Sequence, residues 1–143
     1  MSGQIRVTVW NEYVQERESP EIHDIYPEGI HGCLRGFLEK ERDITVTCVT
    51  LDMPRQGITR ELLDETDVLI WWSHARQEEV TDETVRLVQE AVWSGMGRIF
   101  YFQPGHEEAP VYEQPEIQRI IVNAVRWAEP TMRLNAPPQN VGV

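Results

Sequence analysis

The chain has 143 residues, a formal charge of −11, and a composition that is 41% hydrophobic and 26% charged. That length suits one domain with one real core, and the composition is that of a soluble globular protein. A field of that sign repels nucleic acid and anionic lipid, and no Lys/Arg cluster with interleaved aromatics offsets it, so neither is an expected partner. Phosphorylated ligands are disfavoured in the same way, whereas neutral ligands such as sugars are not. No apolar stretch has the length to span a bilayer, and the N-terminus MSGQIRVTVW lacks a basic flank followed by a long apolar segment, so no signal peptide is read. Cys33 and Cys48 both lie in apolar contexts and are expected to be free and buried, which fits a cytoplasmic protein.

Residues 5–10 alternate and end in Trp10, a first strand. Residues 11–28 are polar, with Pro20 and Pro27 as helix breakers, and read as a long loop of the kind that carries function. Over 29–39 an apolar stripe of Ile30, Cys33, Leu34, Phe37 and Leu38 predicts a helix. Residues 44–49 alternate as a second strand, and 51–58 form a turn region around Met53, Pro54 and Gly57. A short helix covers 59–64, with Thr59 as N-cap. Residues 68–72 are apolar throughout and read as a central strand. The helix predicted over 81–93 has Thr81 as N-cap and Asp82 and Glu83 in its first turn, where the helix dipole favours negative charge. Val85, Leu87, Val88, Ala91 and Val92 supply its inner side, Trp93 reads as packing, and Gly95 and Gly97 end it.

A fourth strand is predicted over 98–102, then a last helix over 115–127 with Pro115 in its first turn. Its stripe is Ile117, Ile120, Ile121, Ala124 and Val125 or Trp127. A single domain over 1–130 is followed by a loose tail, 131–143. The order β-α-β-α-β-α-β-α predicts an α/β fold with a mainly parallel sheet of about four strands and helices on both faces.

Three of these strands run into polar or imidazole-bearing turns: Trp10 into Asn11-Glu12-Tyr13, Trp72 into Ser73-His74, and Phe102 into Gln103-Pro104-Gly105-His106-Glu107. In a parallel sheet the carboxyl ends of the strands share one edge, and ligands bind in the crevice there. The candidate catalytic residues are therefore Glu12, His74 and His106, with Asn11, His31, Trp72, Ser73 and Glu107 as ligand-binding candidates. A Glu–His pair works as acid and base when its surroundings separate the two pKa values. The bland alternatives are a hydrogen-bonded structural histidine at His74, an anchor at His31, and a loop-organising network around Glu12 with Tyr13 and Arg17. Trp71 and Trp72 are neighbours on one strand, so they point to opposite faces and at least one of them is core.

Other chemistries fare worse. His31, His74, His106 and Glu12 could converge on a metal, but no His-Glu-x-x-His signature is present and no metal is expected. There is no Gly-rich phosphate loop. Neither cysteine lies on a strand-to-helix turn, and no Gly-x-Ser-x-Gly elbow surrounds Ser73.

The runs VWNEY (9–13), YPEGIHG (26–32), LDETDVLIWWSH (63–74), FYFQPGHE (100–107) and NAVRWAEP (123–130) resemble the ThuA family of trehalose utilisation. That family is similar in fold to the class I glutamine amidotransferases, which implies a flavodoxin-like three-layer sandwich. The resemblance implies metabolism of trehalose or a related disaccharide or keto-sugar, a small-molecule sugar as partner, and no organic cofactor. Family members are longer, and the stretch that would follow Gly97 is missing, which reads as an internal deletion. His106 would then stand in for a histidine of the missing turn. The alternative to a sugar site is a non-catalytic truncated module that forms homo-oligomers through the sheet edge left open.

Overall fold

The computed structural model describes residues 3–94 and 98–131. Its elements in chain order are β1 (Ile5–Asn11), α1 (Gln15–Glu18), α2 (Pro20–Ile25), α3 (Gly29–Leu38), β2 (Ile44–Thr50), α4 (Arg60–Asp64), β3 (Val68–Trp72), α5 (Asp82–Ser94) and α6 (Pro115–Ala128). Among the described residues the sheet has three strands in the order β2-β1-β3. Both pairings are parallel. The registers place Asn11 opposite Thr50 and Trp72, so all three strands end at one edge.

Period-two alternation divides the strands between two cores. Ile5, Val7 and Val9 of β1 join Ile44 and Val46 of β2 and Val68 of β3 against Ile30, Leu34, Phe37 and Leu38 of α3 and Ile121, Val122 and Val125 of α6. Each of these side chains, removed fully from water, contributes roughly 1.5–3 kcal/mol. On the opposite face Trp10 and Val49 pack with Ile58, Leu62, Leu63, Leu87 and Val88, beneath α4 and α5. Helices thus cover both faces, which is the expected three-layer arrangement. The tryptophan expectation is also met. Trp72 packs against the larger core, while Trp71 stacks on Trp10 across the other face with centroids 3.8 Å apart.

Four expectations need correction. The predicted fourth strand is absent: residues 98–102 form no strand. A strand needs a ladder with a neighbour, and this segment makes none, its Ile99 and Tyr101 side chains being largely exposed. Arg98 Nη1 donates to Trp127 O at 2.7 Å, and its guanidinium lies 5.4 Å from the centroid of the Trp127 ring. β3 is consequently an edge strand, not a central one, and β1 is central. Residues 11–28 are not a plain loop, because α1 and α2 lie within them. Pro20 starts α2 rather than breaking it. It occupies the first turn, where no N–H is required, and Ser19 Oγ accepts from Ile22 N at 3.5 Å.

The helix faces also differ in part from the predicted ones. On α5 the inner side is Thr84 with Leu87 and Val88, while Val85 is exposed and Trp93 is 85% exposed. On α6 Val122 is buried where Ile120 was expected, and Trp127 is half exposed. The caps are as read: Thr59 Oγ1 accepts from Leu62 N at 3.1 Å, and Thr81 Oγ1 accepts from Thr84 N at 3.3 Å. Residues 95–97 and the tail beyond 131 lie outside the described residues.

Candidate functional site

The end of β1 organises the strand-end rim. Asn11 is buried, and its amide is fully used. Nδ2 donates to Glu16 Oε1 at 2.7 Å and to His31 Nδ1 at 3.0 Å, and Oδ1 accepts from Tyr13 N at 2.9 Å. That last bond holds Tyr13 at φ 53°, a left-handed conformation that costs a non-glycine residue energy. Glu16 Oε1 also accepts from Ile30 N at 2.9 Å. A carboxylate is thereby placed on the first turn of α3, where the Glu28 side chain makes no cap bond. His31 accepts through Nδ1, so its proton is on Nε2. Burial, the largest influence, pulls its pKa below the usual value. Its ring meets Tyr13 edge-on, with centroids 4.8 Å apart.

Glu12 is buried and acts through the next strand end. Its Oε1 accepts from Ala75 N at 2.7 Å, and its Oε2 accepts from Ser73 Oγ at 2.9 Å and Arg76 N at 3.0 Å. Burial pushes its pKa up, but the amides of Ala75, Arg76 and His74 and the Ser73 hydroxyl together outweigh it and hold the carboxyl below its ordinary range. Glu12 is thus an ionised anchor that folds the 73–76 turn around itself. Ser73 gives its hydroxyl proton to Glu12, not to His74.

That turn presents His74, and the 103–107 turn presents His106. The two rings lie 5.3 Å apart and nearly perpendicular. Between them is Glu107, whose side chain is only 3% exposed. Its Oε1 is 3.5 Å from His74 Nε2 and its Oε2 is 3.3 Å from His106 Nδ1. The imidazoles themselves face solvent, 45% and 57% exposed. Gly105 at φ 151° makes the turn possible, since a Cβ there would lie 3.0 Å from Val111 Cγ1. Trp72 is half-buried below, its Nε1 donating to Tyr112 Oη at 3.0 Å.

The structure therefore brings His74, His106 and Glu107 into one cluster and Asn11 and His31 into another. Glu12 reaches the first of these through the backbone of the His74 turn. Two residues were missed. Glu16 is buried beneath Asn11 and His31, and no periodicity marks a carboxylate that caps a helix fourteen residues away. Tyr112, also buried, accepts from Trp72 forty residues away and so shows in no local pattern. Cys33 and Cys48 are free, and burial lifts the Cys33 thiol to about 11, far from a nucleophile's range. A groove of about 590 Å³ lies elsewhere, between α4 and α5, lined by Arg55, Arg60, Glu61, Thr84 and Arg86 among others. None of the rim residues contributes to it.

Fold and rim define a parallel α/β sandwich with a histidine–carboxylate cluster at the carboxyl ends of its strands. The model of the ThuA family, described as trehalose utilisation, matches residues 92–128, from the end of α5 through His106 and Glu107 to the end of α6. The chain is similar to that family over this stretch, as the sequence motifs suggested. No curated protein matches the chain. Among the described residues no helix is long and apolar enough to cross a membrane.

Proposed function

We propose that this protein binds or processes a sugar of the trehalose or keto-disaccharide class at the carboxyl edge of its sheet. The observation that carries the reading is the meeting of His74 and His106 over the buried Glu107, in a chain whose matched stretch includes two of those three residues. Two solvent-facing imidazoles exchange protons with sugar hydroxyls or a carbonyl, and the Glu107 carboxylate lies within ion-pair distance of both rings. Glu12 and Asn11 are positioning residues, holding the His74 turn and the His31 ring. Trp72 and Ser73 form the floor. The charge of −11 does not oppose a neutral sugar.

Calorimetric titration with trehalose and its 3-keto form tests the reading. Saturable heat is expected, lost in His74→Ala and His106→Ala. Flat heats for every sugar would favour the second reading, a non-catalytic module that associates with itself. That reading draws on the open edge of β3 and on Trp93, Ile99 and Tyr101, which are 85%, 79% and 81% exposed. A monomeric mass by light scattering would count against it.

A further inference from the structure

The geometry points to a divalent transition-metal site formed by His74 Nε2, His106 Nδ1 and the Glu107 carboxylate. These three donors lie within 4.8 Å of one another. Zinc bonds of roughly 2.0–2.2 Å in a tetrahedral arrangement set neighbouring donors roughly 3.3–3.5 Å apart. Two of the approaches are near that length, 3.5 Å from His74 Nε2 to Glu107 Oε1 and 3.3 Å from His106 Nδ1 to Glu107 Oε2, each to a different oxygen of the carboxylate. The third closes by rotation of two half-exposed rings.

The second observation is independent of this spacing. Glu107 Oε1 is a buried oxygen with no hydrogen-bond partner, His74 Nε2 standing 3.5 Å away. A buried carboxylate oxygen left unsatisfied costs free energy. A cation between the rings satisfies it and both imidazoles at once. Two neutral imidazoles and one carboxylate suit zinc or a similar first-row ion, not magnesium or calcium, which require an oxygen set. Glu108, 3.9 Å from His106 Nδ1, adds negative charge at the mouth. Three protein donors leave a fourth position open to water or to a sugar hydroxyl, the arrangement of a catalytic rather than a structural site. With the ion in place the rings are ligands, and proton handling passes to the bound water.

The test is a calorimetric titration of the full chain, stripped with a chelator and desalted, with zinc chloride and no sugar. One zinc per chain is expected, and cobalt(II) should give the visible bands of a four- or five-coordinate ion. Loss of a residue that only hydrogen-bonds a metal ligand costs a site roughly 10–100-fold, so His74→Ala, His106→Ala and Glu107→Gln should each weaken zinc by about 100-fold or more. His23→Ala should leave it unchanged, and magnesium should give no heat. Absence of saturable zinc binding overturns the inference. So does zinc binding that persists in His106→Ala, an exposed-ring variant whose fold is checked by circular dichroism. The inference concerns the same residues as the sugar reading but is tested separately: zinc without sugar heat upholds the one and sinks the other, and sugar heat without zinc does the reverse.

Discussion

The Glu12→Gln variant probes the anchor beneath the rim. In the native protein Oε2 accepts two hydrogen bonds, from Ser73 and Arg76, and Oε1 accepts one from Ala75. The amide keeps its oxygen where two donors point and turns its NH2 toward the Ala75 N–H. One charge-assisted bond becomes a donor facing a donor, and the other two become neutral. A bond to a charged group contributes roughly 1.5–3 kcal/mol and a neutral one roughly 0.5–1.5 kcal/mol, so the loss is roughly 3–6 kcal/mol before the lower desolvation cost of an amide offsets part of it. The net expectation is about 2–4 kcal/mol, a large share of a typical domain's 5–15 kcal/mol.

Urea unfolding monitored by tryptophan fluorescence measures it. Acid titration adds a second signature. The Glu12 carboxyl is held below its unfolded value near 4.5, so its contribution is present in full above that pH and is lost as the pH falls through the depressed folded value. The variant should flatten that acid limb. A change below about 0.5 kcal/mol, the range of a surface substitution, with an unaltered acid limb would refute the account of Glu12 as an ionised anchor.

Three other outcomes follow from the same geometry. His31 is held neutral, with its pKa below the usual value, so the unfolded state binds the extra proton first and stability declines as the pH falls below about 6.5; the melting temperature should drop between pH 7.5 and 5.5, and less so in His31→Gln. Gly29→Ala places a methyl 2.6 Å from the His31 ring and 2.9 Å from Tyr13 at φ 77°, which should cost about 1–3 kcal/mol in urea unfolding and shift the His31 imidazole resonances. Tyr112→Phe removes the acceptor of the Trp72 indole N–H and should cost about 1–3 kcal/mol, with a change in Trp72 fluorescence.

Local pattern settled much of this protein. The alternation of β1 and β2, the stripe of α3 and the caps Thr59 and Thr81 are each decided by residues a few positions apart, and they stand where periodicity placed them. The polar turns after β1 and β3 were legible for the same reason, because a parallel sheet gathers its carboxyl ends, whereas the 103–107 turn follows no strand and meets His74 only through the tertiary fold. Pairing was not legible. Residues 98–102 have strand-like composition, yet no ladder forms, because a strand exists only beside a neighbour and these residues pair with none of the three strands. The chemistry of each rim carboxylate was decided in three dimensions as well. Glu12, Glu16 and Glu107 are equivalent letters in the sequence, but folding gives the first three donors, makes the second the cap of α3, and sets the third between two imidazoles. Burial and partners, not residue type, fix what a carboxylate does, and both are properties of the assembled sheet edge.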